Sequence, residues 1–243
     1  MTGPSDRPAL AALPALDRAA IEVLAGGWSD GGLWAEVDWL AERFWAATDP
    51  AARSRRWHHL VLAVGNFKRQ PGRRLRPTLD TTGPAVPGVP EDRFDVAGTD
   101  GPVTVAVDDP ASWVALSAAL PGAAVATTST LLAALWPSAH FVFDWRVAAA
   151  ANGLRARAEL ATAPGFDATA TTTPDLGFDH YGRVRAWLLD TAAATGAGLV
   201  AAERALYRAS QLVPAERGRD WATYGHAVVD AIAAAVAAKD TQR

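Results

Sequence analysis

The stretch Leu116 to Asn152, LSAALPGAAVATTSTLLAALWPSAHFVFDWRVAAAAN, decides the fold. It reads as helix, tight turn, helix, short loop, then an acidic residue at the head of a third helix. Leu120-Pro121-Gly122 makes the turn, and Gly122 supplies the backbone freedom that a sharp reversal needs. The amides that follow open the next helix, where N–H groups without helical partners and the helix dipole favour an anion such as phosphate. The same pattern also describes an ordinary helical hairpin with a glycine in its turn. Asp144 has two readings as well: an aspartate before Trp145-Arg146-Val147 is an ordinary helix N-cap, and a carboxylate at a helix head beside an anion-binding turn is a candidate catalytic group.

On both sides of this stretch the spacing of apolar residues is helical. Helices are expected over 8–25, 33–47, 51–65, 109–120, 125–136, 145–153, 179–195, 197–212 and 219–239. Gly26-Gly27 and Asp49-Pro50 are stop signals, and Asp109 with Pro110 is a cap followed by a proline at the first helical position. Residues 66–109 interrupt the pattern. They contain six prolines and read as a long irregular connection. Val103 to Val107 alternates and is the single strand expected there. The segment 161–178 is a polar loop, and no internal repeat is evident. The chain is therefore expected to be all-α and a single unit over 1–243. It divides into an N-terminal helical part (1–65), a long loop with at most one short strand (66–109), and the hairpin with the C-terminal helices (110–243).

Composition narrows the function. With no cysteine there is no disulfide scaffold, thiol catalysis, Cys-ligated zinc or iron–sulfur cluster. No His/Asp/Glu spacing resembles a metal site, and no glycine-rich phosphate loop or GxSxG motif is present, so no metal and no cofactor are expected. Asp6 and Arg7 precede any apolar run, and no long uncharged apolar stretch occurs. No membrane partner is expected, and a cytoplasmic location is. Of the 23 basic residues only Lys68 and Lys239 are lysine, and alanine occurs 55 times, a pairing that GC-rich coding produces. The net charge of −3 argues against an indiscriminate polyanion binder.

The hairpin stretch resembles the helix-hairpin-helix DNA glycosylase superfamily, and within it the bacterial relatives of 8-oxoguanine DNA glycosylase. The residues that carry the likeness are Leu120-Pro121-Gly122-x-x-Val125-Ala126, Ser129-x-Leu131-Leu132, Leu135-x-Pro137 and Asp144-x-Arg146, about 35 of 243 residues. The resemblance implies a glycosylase-like fold of two packed helical lobes, a DNA partner and a role in DNA repair. It further implies a phosphate grip at Pro121, Gly122, Ala124 and Val125, and a catalytic Asp144. Bifunctional members place a lysine after the serine. Here Thr130 follows Ser129, and no lysine lies between 68 and 239. With no amine in the hairpin there is no Schiff base, and a monofunctional hydrolase is implied, in which the Asp stabilises positive charge at the sugar and orients a water. The hairpin's usual second glycine is replaced by Ala123 or Ala124, depending on the register.

Other residues carry weaker signals. Arg53 to Arg76 holds eight Arg or Lys residues with Trp57, Phe67 and His58-His59 interleaved. Arg69, Arg73, Arg74 and Arg76 are the expected phosphate contacts, and a solvated basic loop is the alternative. Trp136 and Trp145 bracket the hairpin and His140 lies in the loop before Asp144; all three are candidates for a base pocket, with core packing the alternative for the two tryptophans and a surface loop position the alternative for His140. Trp34, Trp39, Trp45, Trp57, Trp113 and Trp187 are expected in the core, and Glu203, Arg204 and Arg208 are expected as surface charge pairs. Three functions stay open: a monofunctional DNA base-excision hydrolase, a non-catalytic DNA-binding or protein-interaction relative, and an enzyme acting on a small N-glycoside.

Overall fold

The computed structural model describes residues 12–13, 15–27, 33–68, 81–82, 90–98, 101–120, 122–157, 176–214 and 220–241. Among them are nine helices: α1 (Arg18–Gly26), α2 (Leu33–Trp45), α3 (Pro50–Phe67), α4 (Pro110–Ala119), α5 (Val125–Leu135), α6 (Trp145–Arg157), α7 (Phe178–Thr195), α8 (Leu199–Leu212) and α9 (Trp221–Asp240). Three strands form one antiparallel sheet: β1 (Thr81–Thr82), β2 (Arg93–Gly98) and β3 (Gly101–Ala106). The chain is mostly helical, as the periodicity predicts, and no helix of the described residues is long and apolar enough to cross a membrane.

Aspartates set four helix starts. The carboxylates of Asp17, Asp49, Asp109 and Asp220 accept from the backbone N–H of Ala20, Ala52, Ala111 and Thr223, at 2.8, 2.8, 3.0 and 2.8 Å. Each satisfies a first-turn donor that the helix leaves unpaired. Pro50 and Pro110 follow two of these caps, where a missing N–H costs nothing. Asp17 also moves the first helix. α1 starts at Arg18, and before the cap the Leu13 N–H is bonded to the Thr191 hydroxyl at 2.8 Å; residues 8–11 of the expected helix lie outside the described residues.

The expectation of at most one strand in 66–109 is corrected. β2 pairs with β3 in the register Phe94↔Val105, Val96↔Val103 and Gly98↔Gly101, which leaves a two-residue connection. Gly101 has φ +126°, a region that glycine alone tolerates easily. Phe94, Val96 and Val105 form the buried face, while Thr104 donates to Asp95 on the exposed face at 2.6 Å. The charges on that outer face hide a short alternation among prolines and glycines.

The chain forms two units. Residues 1–28, 145–175 and 179–243 make the first, and residues 29–144 with 176–178 make the second. In the first, α6 packs on α8 and α9, and α1 packs on the same two helices. Gly153 permits that approach: a Cβ there would stand 2.9 Å from the Tyr224 ring and 3.2 Å from the Gly225 Cα. In the second, α2, α3 and α4 pack on α5, and the sheet lies against α4. α5 is the centre of this unit, for every residue from Thr127 to Leu135 is buried. The N-terminal helical part is thus divided, α1 joining the C-terminal helices and α2 and α3 joining the hairpin.

Two expected placements differ. Trp39 is 49% exposed, because the buried stripe of α2 runs through Trp34, Val37, Leu40, Ala41, Phe44 and Trp45 and leaves Trp39 outside it. Glu203 is buried rather than a surface charge, because it lies on the inward stripe of α8 with Leu199, Ala202, Leu206 and Ala209.

Candidate functional site

The hairpin of α4 and α5 has the turn the sequence predicts. Gly122 has φ +89°, and the Ala123 N–H donates to the Leu120 carbonyl at 2.8 Å, closing the reversal. The Ser117 hydroxyl reaches the Ala123 carbonyl at 3.3 Å and ties the turn back to α4. Pro121 lies outside the described residues. Ala124 is the N-cap of α5 and has no side-chain oxygen, so it gives no cap hydrogen bond to the first turn. Gly122 and Ala124 are exposed and Val125 is buried. Past this exposed edge the first turn is largely interior, with Thr127 and Thr128 buried and their N–H groups bonded to the Ala124 carbonyl at 2.9 Å, and no side chain caps the helix.

Ser129 and Thr130 face inward. The Ser129 hydroxyl accepts from the Phe143 N–H at 3.0 Å and donates to the Ala126 carbonyl at 3.1 Å. This bond fastens the segment before Asp144 to the central helix. Thr130, in the place of the bifunctional members' lysine, is fully buried, and its hydroxyl donates to the Ala126 carbonyl at 2.7 Å. The position offers neither an amine nor access.

Asp144 itself is half-buried, between the fully buried Phe143 and Trp145, which is 39% exposed, directly before α6. A carboxylate there feels the positive end of the α6 dipole. The chain passes from one unit to the other at this residue.

The three base-pocket candidates occupy different surroundings. Trp136 is buried, its Nε1–H donates to the Glu91 carbonyl at 2.6 Å, and its ring lies 5.6 Å from Phe94 and 6.0 Å from Trp45. His140 is fully buried, with its ring 5.0 Å from Trp113 and 5.9 Å from Trp136. Its Nε2 is 2.8 Å from the Val107 carbonyl, which can only accept, so the proton is on Nε2. Both residues are part of the aromatic core between α5 and the sheet, so the surface loop position expected for His140 is corrected. Trp145 alone of the three presents its ring to solvent. The guanidinium of Arg146 lies 4.9 Å from its centre and 5.7 Å from that of Tyr207.

The basic region is only partly described: Arg69, Arg73, Arg74 and Arg76 lie outside the described residues. Arg53, its first member, is an interior residue. It is 1% exposed, lies over Phe44 and Trp45 at 4.9 and 5.3 Å, and sits 3.6 Å from the Glu91 carboxylate. The interleaved aromatics are equally occupied, with Trp57 fully buried and Phe67 packed on Trp34 at 5.3 Å. His58 and His59 turn their rings 83° apart, and no cluster of three metal-ligating side chains occurs among the described residues.

Sequence reasoning passed over a second polar layer, in the first unit. The Arg155 guanidinium is buried over Trp187 at 4.8 Å. Burial lowers its pKa, and Asp190 opposes that shift; burial likewise raises the Asp190 carboxyl, which Arg155 pulls back. A surface groove of about 430 Å³ lies elsewhere in this unit, between the C-terminal ends of α1 and α9, and contains none of the candidate residues. Set against known protein families, curated proteins and solved structures, the chain matches none of them.

Proposed function

We propose that the protein is a helix-hairpin-helix, glycosylase-like DNA-binding hydrolase that removes a base from DNA without lyase chemistry. One observation supports the reading: a helix start without a side-chain cap after a left-handed glycine turn, followed one loop later by a half-buried carboxylate whose preceding residue, Phe143, is bonded to Ser129. The α5 amides and Gly122 would take a phosphate of the strand, and the arginines of 69–76 would add sequence-independent contacts. With a base flipped out of the stack, the Asp144 carboxylate would stabilise the positive charge that grows at C1′ as the N-glycosidic bond breaks. A water oxygen then bonds to C1′. The base leaves with the bonding electrons and takes up one water proton by way of Asp144 or solvent, and the other proton stays on the new C1′ hydroxyl. No amine takes part, in keeping with Thr130.

The test is release of free base from duplexes carrying oxidised, deaminated or alkylated bases, with Asp144→Asn beside the parent. The expected result is release by the parent and a loss of at least about a hundredfold in the variant, the scale on which a positioned acid–base group contributes. Salt-sensitive binding without release, unchanged in Asp144→Asn, would instead establish the non-catalytic reading. The alanine at the α5 cap, where a glycine would let a phosphate come closer, favours that second reading.

A further inference from the structure

The chain contains two asparagines, Asn66 and Asn152, and only the second precedes a glycine. Asn152-Gly153 lies in the interior of α6. The Asn152 side chain is 4% exposed, and its amide oxygen is buried without a hydrogen-bond partner. That oxygen loses its water and gains no bond in return, so packing does not explain an asparagine here. Packing does explain the glycine. A Cβ at 153 would stand 2.9 Å from the Tyr224 ring and 3.2 Å from the Gly225 Cα, so α6 lies on α9 only with a hydrogen at this position. The same missing Cβ leaves the Gly153 peptide nitrogen unshielded beside the side-chain amide of Asn152. The contact that seats α6 thereby creates a reactive pair within it.

We propose that Asn152-Gly153 is a covalent modification site that the helix keeps shut: Asn152 deamidates when α6 opens, and the product leaves the first unit weakened. The Gly153 nitrogen bonds to Cγ of Asn152 and gives its proton to water. The bond from Cγ to Nδ2 breaks, and that nitrogen takes a proton from water and leaves as ammonia. The cyclic imide then takes up one water, which cleaves either of its two C–N bonds. One product is aspartate at 152. The other is isoaspartate, in which the backbone runs through the former side chain. No oxidant or reductant is needed. In the closed helix two restraints stop the first step. The Gly153 N–H is held in the helical ladder by the carbonyl four residues back, and ring closure turns ψ of Asn152 away from its helical value. Opening of α6 releases both. Afterwards the aspartate places a charge where the fold buries a neutral side chain. The isoaspartate lengthens the backbone, so the ladder does not re-form across it.

The experiment uses the whole chain in mildly alkaline buffer, without urea, in urea below the unfolding transition, and fully unfolded. Peptide mass mapping follows the conversion of Asn152. Asn66 is the internal reference, since its neighbour is Phe67, whose side chain shields the nitrogen. Exchange of the Gly153 amide hydrogen is read by NMR in the folded samples, because both reactions need the same N–H released. In the unfolded chain Asn152 is expected to convert well before Asn66. In the folded chain its conversion is slower by at least about a hundredfold, by the same factor that protects the Gly153 amide, and the two rise together with urea. Asn152→Gln, compared in the unfolded state so that its own folding does not enter, loses the rapid conversion because the five-membered ring cannot close. Converted chain, separated by its added charge, melts below fresh chain. Unfolded chain in which Asn152 outlasts Asn66 overturns the site. Folded chain that converts at the unfolded rate, or whose suppression departs from the amide's protection by more than about tenfold, overturns the gating by α6. Converted chain that melts like fresh chain overturns the weakening.

Discussion

Gly153 shows how much a single hydrogen can decide. It sits mid-helix, where glycine is a poor helix former, yet its missing side chain lets α6 lie against Tyr224, which is fully buried with its hydroxyl bonded to the Val213 carbonyl at 2.9 Å. A Cβ would meet that ring at 2.9 Å, closer than such contacts come, and the ring cannot turn away without breaking its bond. Gly153→Ala is therefore expected to destabilise by about 1–3 kcal/mol, the usual cost of overpacking, although alanine is the better helix former. Urea unfolding of the variant beside the parent measures it, and an unchanged or raised midpoint would contradict this account. Arg53 was readable in the same way. It lies four residues before Trp57 and seven before Leu60, on the stripe that fills the core, so its position marked it as interior. Its residue type pointed the other way, since arginine is rarely buried unless paired.

At the scale of elements, the helices declared themselves and the sheet did not. Asp49-Pro50 and Asp109-Pro110 are local signals whose chemistry is complete within four residues. β2 acquires its meaning only from β3, through a register that no local pattern states. The hairpin was legible for the same reason as the caps, whereas the burial of Trp136 and His140 depends on Glu91 and Val107, far off in sequence. Ser129 is the element-scale contact with the most consequence. Ser129→Ala removes the acceptor of the buried Phe143 N–H, and an orphaned buried donor costs about 1–3 kcal/mol. If Asp144 acts as proposed, the same variant also slows base release, because the segment before Asp144 loses its tether. The α9 cap makes a prediction of opposite character. Hydrogen bonds from the Thr223 backbone N–H and hydroxyl hold the Asp220 carboxyl below the ordinary aspartate range. The unfolded chain therefore takes up the proton first on acidification, and the stabilisation by this cap, present at neutral pH, is lost as pH falls from the ordinary aspartate range toward the depressed folded value. Asp220→Asn lacks this proton. The difference in melting temperature between parent and variant should narrow over that acid window and be flat above it.

For the whole molecule, the chain path matters more than the order of sequence blocks. The first unit is assembled from α1 and from helices that follow residue 144, while the second is one continuous run, 29–144, joined by residues 176–178. Each has its own buried set: Ile21, Leu154, Leu206 and Tyr224 in the first, and Phe44, Trp57, Leu131 and Trp136 in the second. Separate cores permit separate opening, because local stability follows the contacts that each segment makes. Gly153→Ala strains only the first set. Hydrogen exchange followed helix by helix should then show faster exchange in α6, α8 and α9 of the variant, with α3 and α5 protected as in the parent. Equal acceleration in all five helices would mean that the chain opens as one body, and that the residues on either side of Asp144 share a single stability. The distinction bears on the proposed chemistry. Asp144 ends one unit and Trp145 begins the other. If the two open independently, a substitution that loosens the first unit leaves the Ser129 tether of Phe143, directly before Asp144, intact, and base release by the Gly153→Ala variant stays at the parent's level wherever the variant is folded.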